Sequence, residues 1–318
     1  MDATSKVVLT YFAVGITILM AGLMPSTERY ATYSIPVLFS ILLLVPLYHW
    51  QRSYRAKTVL AAEAKTRDKT ATLFWILALF LLALTIRIPS VLIFNTPYEK
   101  TPVIYLTILT ILIIEKTNLT AFGFKTNSFL KSLAYGLIFF IFISGVTSLV
   151  SYALVYMSTG QMPIQSVDIV PMLSAMPFMT LCVGISEESL FRGYMQTHLE
   201  KLCNPNLAIL IQAVLFGVWH FVWNLSPFDP LAMIQYVATT FFIGLFFGYF
   251  YSKTRNLIPL VLAHGLFDSV PGGIAESEHA FNLLQSTPLA TQAFVSILPY
   301  VVSTILTLLF ITYFAKEL

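Results

Sequence analysis

Four side chains in the C-terminal half of this sequence are out of keeping with their surroundings. Glu187, His220, His264 and Asp268 all lie in long apolar stretches. Charged groups in membrane helices cost roughly 2.5–3.5 kcal/mol each on insertion scales, so those present usually face the bundle interior and work there. Two carboxyl groups and two imidazoles are the parts of a hydrolytic site. They can supply a general base for water and donors for the charge that develops on an attacked carbonyl.

Each residue belongs to a short cluster. In Ser186-Glu187-Glu188-Ser189-Leu190-Phe191-Arg192-Gly193, Glu188 and Arg192 are four apart with the acid first, so they pair along one helical face. Glu187 is rotated about 100° away and is left as a carboxylate in a poorly solvated site, the setting of a general base. In Phe216-Gly217-Val218-Trp219-His220 the histidine sits inside an apolar helix, with Asn224 one turn further on as a satisfying partner. In His264-Gly265-Leu266-Phe267-Asp268 the two end residues share a helix face and can meet at one cavity. Each cluster also has a plainer reading: a snorkelling helix end, a satisfied core histidine, or a private His–Asp hydrogen bond. Three clusters in one half of the chain favour a shared site. His49 and His198 at span ends and His279 in a loop read as surface residues.

The elements that must position these groups follow from composition. The 318 residues are 57% hydrophobic and 10% charged, with a mean hydropathy of +0.80, which excludes an ordinary soluble domain. Backbone crossing hydrocarbon must satisfy its own hydrogen bonds, and the apolar runs are continuous rather than alternating, which selects helices over a barrel. The expected fold is therefore an all-α polytopic transmembrane bundle of about eight to ten spans, with a catalytic core of four helices in the C-terminal half. Candidate spans lie near 7–24, 33–50, 71–95, 102–115, 132–157, 172–191, 206–225, 231–251, 257–275 and 291–314; the fourth is the shortest.

Lysines and arginines set the orientation. The 51–70 stretch holds Arg52, Arg55, Lys57, Lys65, Arg67 and Lys69. With that loop cytoplasmic, Lys6, Lys116, Lys125, Lys131, Arg192, Lys201, Lys253, Arg255 and Lys316 also fall inside, while Arg29 and Lys100 fall outside and Arg87 lies within the third span. This predicts a protein of the cytoplasmic (inner) membrane with both termini cytoplasmic and the first span retained. The basic loop can form a helix on the inner leaflet. It separates two leading helices, residues 1–70, expected to be accessory, from a membrane domain at 71–318. A net charge of +3, scattered along the chain, gives no nucleic-acid interface. Cys182 and Cys203 form no CxxC pattern.

In order, the three clusters resemble the pattern of the CPBP intramembrane peptidases (CAAX-protease and bacteriocin-processing, or Abi-like), which include the type II CAAX prenyl endopeptidases: EExxxR, FxxxH, then HxxxN or HxxxD. Here these read Glu187-Glu188 with Arg192, Phe216 with His220, and His264 with Asp268, over about residues 171–275. The resemblance implies a membrane-embedded endopeptidase acting on membrane-associated or small peptides, including C-terminal CAAX processing. Glu187 would deprotonate water and His220 would orient or share that proton. His264 and Asp268 would stabilise the oxyanion, with Glu188, Arg192, Phe216 and Asn224 in support. An ionised Asp268 cannot donate to an oxyanion, so it must be protonated or hold His264 in its donating tautomer. Glu187, His220 and His264 can also supply the ligands of a zinc or other divalent ion; HExxH is absent, which favours metal-free chemistry. The positions in their spans predict a peptide or protein substrate arriving from the cytoplasm or the inner leaflet. Rival readings are a serine nucleophile at Ser186 in Gly184-Ile185-Ser186, a proton-coupled transporter, and a non-catalytic immunity or scaffold protein.

Overall fold

The computed structural model describes residues 1–23, 29–58, 69–163, 169–270 and 278–314. Among these every regular element is helical. The helices are α1 (Ala3–Gly22), α2 (Arg29–Thr58), α3 (Lys69–Phe94), α4 (Lys100–Ile114), α5 (Phe129–Thr159), α6 (Ile169–Leu199), α7 (Pro205–Trp219), α8 (Pro230–Thr254), α9 (Ile258–Ser269), α10 (Glu278–Gln285) and α11 (Leu289–Phe314). Eight are long and apolar enough to cross a membrane: α1, α2, α3, α5, α6, α8, α11, and α7 together with the 3₁₀ turn Phe221–Asn224 that extends it. The chain is an integral, multi-pass membrane protein. The expected inner-leaflet helix falls partly on 59–68, outside the described residues.

Two of the ten expected spans are too short to cross. Helix α4 has 15 residues, about 22 Å at 1.5 Å per residue, and α9 has 12, about 18 Å. Neither bridges a hydrocarbon core of about 30 Å. Both are enclosed by longer helices: residues 99–112 are all buried, as are nine of the twelve residues of α9.

The expected boundary near residue 70 is not a boundary in packing. Tyr11 of α1 is fully buried and its hydroxyl donates to Leu82 O of α3 at 2.8 Å. On α2, Ser40 Oγ lies 2.7 Å from Thr101 Oγ1 of α4 and 3.3 Å from Cys182 Sγ of α6. The leading helices thus bury polar groups against α3, α4 and α6, the last of which carries the first motif.

Helix α6 is the axis of the site. It is α-helical at Ile169–Phe178, π-helical at Met179–Gly184, α-helical again for the single turn Ile185–Glu188, and π-helical at Ser189–Gln196. Such i→i+5 segments recur at functional sites. Pro177, which has no N–H to donate, sits just before the first of them. Burial changes along the helix. Residues 169–171 are exposed, whereas everything from Ser186 to Gln196 is buried. Helix α9 docks on α6 through two glycines. A Cβ at Gly184 would stand 2.5 Å from Val261 O, and one at Gly265 would overlap Thr180. Small residues let membrane helices approach at backbone distance, and this approach carries His264 to Glu187.

Candidate active site

The single α-helical turn of α6 points Glu187 and Glu188 in different directions. Glu187 is buried and its two oxygens are treated differently. Oε1 accepts from the Lys100 ammonium and from Trp219 Nε1 at 3.0 Å. Oε2 has no hydrogen-bond partner and faces His220 Nε2 at 3.8 Å and His264 Nε2 at 3.7 Å. One carboxylate oxygen is anchored and the other is presented to two imidazoles.

The imidazoles are themselves held. His220 Nδ1 lies 2.7 Å from Phe216 O. A carbonyl only accepts, so the Nδ1 proton goes there, and in the neutral ring Nε2 turns a lone pair toward Glu187. His264 Nδ1 donates to Glu188 Oε1 at 2.6 Å, and its Nε2 lies 3.3 Å from Asp268 Oδ2. With a proton on each nitrogen, that ring donates from Nε2 into the same space.

Glu188 therefore does more than pair with Arg192. Its Oε1 accepts from Arg192 Nη1 at 2.9 Å as well as from His264, which makes it the group that orients the histidine. The Arg192 guanidinium lies over the Phe216 ring at 4.2 Å and near the Phe247 ring at 5.2 Å. The phenylalanine of the second cluster is thus a platform for the arginine of the first.

Two sequence readings change. Asn224 was expected to satisfy His220, but the α-helix ends at Trp219 and Asn224 falls in the following 3₁₀ turn; Phe216 O takes the proton instead. His198, read as a surface residue, is buried, with Nε2 2.9 Å from Glu115 Oε2. His49 and His279 are exposed as expected.

Three charged residues of the site went unrecognised. Lys100, placed in an outer loop by span counting, is 3% exposed and bridges Glu187 and Glu99, lying 3.4 Å from Glu99 Oε1. Glu99 pairs with Arg87, whose Nε donates to Trp219 O at 3.0 Å and whose guanidinium covers the Trp219 ring at 4.2 Å. A buried chain of Glu99, Arg87, Lys100, Trp219 and Glu187 results. The signal was Arg87, an arginine within an apolar span. Arg192, counted as a cytoplasmic charge, is fully buried too.

Arg87, Lys100, Glu187, His220, His264 and Asp268 border a cavity of about 330 Å³ lined also by Val183, Ile243, Phe247 and Phe267. Ser186 is not among its lining residues. It is fully buried, and its hydroxyl donates to Val183 O at 3.1 Å, an arrangement unsuited to a nucleophile.

All three motifs lie in the stretch from α6 to α9, and that stretch is where a family likeness is found. Residues 169–270 match the Rce1-like family, type II CAAX prenyl endopeptidases. The Rce1-like segment holds Glu187, Glu188, Arg192, Phe216, His220, His264 and Asp268; Arg87, Glu99 and Lys100 come from outside it. The chain is also 33% identical over 93 residues to the uncharacterized protein YpbD of Bacillus subtilis (strain 168), a match covering 29% of this chain and 41% of that protein. The chain thus spans less than half the length of this relative. No solved structure matches the chain.

The metal reading gains nothing from the geometry. Among the described residues, no group of three or more His, Cys, Asp or Glu side chains has the arrangement of a metal site. The Lys100 ammonium already lies against Glu187, and both nitrogens of His264 face carboxylates. No step is derived through a metal.

Proposed function

We propose that this chain is an intramembrane endopeptidase that hydrolyses peptide bonds of membrane-associated or small peptides with water activated by Glu187. The observation that carries the reading is the unpartnered Oε2 of buried Glu187, facing His220 Nε2 and His264 Nε2 at 3.8 and 3.7 Å beside a cavity. A water needs two to four polar partners to be held in a protein interior; these three atoms converge on one position.

The chemistry follows from the partners. Glu187 Oε2 takes a proton from the water as its oxygen attacks the carbonyl carbon. Negative charge moves to the carbonyl oxygen, where a donor is worth most. His264, oriented by Glu188 and carrying a proton on Nε2, is the donor nearest that space. Asp268 accepts that proton's hydrogen bond at rest, and the N–H turns from it to the oxyanion as charge develops there. The C–N bond then breaks, and the proton taken from water passes to the departing amine, directly from Glu187 or through His220 Nε2. Lys100 and Trp219 hold Oε1 and act as positioning residues.

The test compares purified wild type, Glu187→Gln and Ser186→Ala in detergent on a quenched-fluorescence peptide library, with equal folding checked by size exclusion. A general base contributes typically 10²–10⁴-fold, so Glu187→Gln is expected to lose activity on that scale while Ser186→Ala retains it. Equal cleavage by wild type and Glu187→Gln sinks the assignment.

A further inference from the structure

The position of the cavity bears on which peptides can reach it. Along α6, Glu187 is about 18 Å from Leu199 and about 27 Å from Ile169 at 1.5 Å per residue, so distance alone favours approach from the end near Leu199, where the basic loops lie. Packing closes that route. Everything from Ser186 to Gln196 is buried. The 116–128 segment seals the ends of α8 and α9: Leu257 N donates to Gly123 O at 2.8 Å, the Tyr251 hydroxyl donates to Phe122 O at 3.1 Å, and Lys125 Nζ donates to Thr254 O at 3.0 Å. An ion pair between Arg255 and Glu200 joins the end of α8 to that of α6.

At the other end the site is open among the described residues. The cavity beside Glu187 reaches Asn95 and Pro97 after α3. A second cavity of about 710 Å³ adjoins it, with Trp223, Tyr236, Thr239 and Tyr300 lining both. The second cavity extends to Asp229 at the start of α8 and to Gln285 at the end of α10, in the connections opposite the basic loops. Its walls carry neutral hydrogen-bonding side chains, among them Asn224, Gln235, Gln285, Gln292 and Ser296. Asp229, the one charged group among the described lining residues, already caps α8 by accepting from Leu231 N and Ala232 N. Gln292 Nε2 and Ser296 Oγ already donate to Thr287 O and Gln292 O; the amides of Asn224, Gln235 and Gln285 match the alternating donors and acceptors of an extended peptide backbone, whereas a lipid chain offers them no hydrogen bond.

Chain connectivity gives the side. Of the eighteen lysines and arginines, Arg87, Lys100 and Arg192 are buried in the core and Arg29 begins α2 at the open end; of the other fourteen, the eleven that lie in described segments are at the closed end. That bias puts the closed end in the cytoplasm.

We propose that peptide substrates reach Glu187 from the extracytoplasmic face, lying extended in the larger cavity and held through their backbone amides. The proposal rests on the peptidase reading and replaces the approach from the cytoplasm or inner leaflet expected from the spans.

The test uses the full-length chain in right-side-out spheroplasts and in inside-out vesicles, with a membrane-impermeant maleimide. Gln235→Cys, or Ala232→Cys as a second position, reports the open cavity, and native Cys203 reports the closed end. Cys182 is fully buried. Burial and the nearby Glu200 push the Cys203 thiol up from its ordinary range, so labelling is run long and at pH 8. Expected are labelling of Gln235→Cys but not Cys203 in spheroplasts, the reverse in inside-out vesicles, and a threefold or greater slowing of Gln235→Cys labelling by a blocked, uncharged decapeptide at millimolar concentration. Labelling of Gln235→Cys only in inside-out vesicles overturns the direction. Labelling that the decapeptide leaves unchanged, whether or not farnesylcysteine slows it, overturns the ligand class. Labelling needs no turnover, so failure of hydrolysis by the wild type is a separate result and counts against the peptidase reading alone.

Discussion

The buried charge chain makes Lys100→Met the most informative single substitution. Arg87, Glu99, Lys100 and Glu187 are two cations and two anions, each at most 3% exposed. Met matches the length of the lysine stem and removes only the charge, leaving one cation against two buried carboxylates. Breaking a buried ion pair from one side costs about 3–5 kcal/mol, because the remaining charge is uncompensated. At about 2–4 °C per kcal/mol for a chain of this size, thermal survival in detergent, read by size exclusion after heating, falls by roughly 6–20 °C. Lys100→Met combined with Glu187→Gln removes both members of one pair and should regain most of that loss, since the two sites are in contact and their effects do not add. Hydrolysis should fall in the single variant, because Oε1 of Glu187 loses its anchor. A single variant as heat-resistant as wild type, or a double variant no better than the single, refutes the ion-pair reasoning.

His264→Ala should lower kcat by roughly 10²–10³-fold with KM little changed, the usual effect of removing one oxyanion donor. Glu188→Gln should shift kcat the same way. The two losses should not add if Glu188 acts through His264, and a double variant slower by the product of the two would refute that. Gly184→Ala forces a methyl group against Val261 O and should cost about 1–3 kcal/mol by overpacking, with a disproportionate fall in activity as α9 moves off α6; unchanged activity counts against the close docking. Deletion of residues 1–58, which removes Tyr11 and Ser40 from their buried partners, should abolish a monodisperse folded species in detergent, and a folded, active truncation would restore the accessory view of α1 and α2.

Sequence patterns predicted the spans because apolar length is a direct consequence of crossing lipid, and the three motifs because ionisable groups are rare there. Other features depended on tertiary placement. Thr96-Pro97-Tyr98-Glu99-Lys100 has the composition of an outer loop; only the packing of α4 inside the bundle turns its lysine onto Glu187. The end of α7 at Trp219 carries no Pro or Gly signal, so His220 read as mid-helix and Asn224 as its neighbour. Glu188 read as a helix-surface partner of Arg192 because i,i+4 spacing is visible along one chain, whereas its bond to His264 crosses 76 residues. The open cavity draws its walls from several helices and leaves no periodic trace.

The two short helices bear on how the proposed hydrolytic site would obtain water in a bilayer. Helix α4 begins at Lys100 and α9 ends at Ser269, both beside the cavity that holds Glu187. A helix end leaves backbone groups without intrahelical partners, and such ends are tolerated at membrane depth only where protein or a water-filled space receives them. A cavity of about 330 Å³ has room for on the order of ten waters. On the proposed hydrolysis, that volume can store the co-reactant before a peptide arrives.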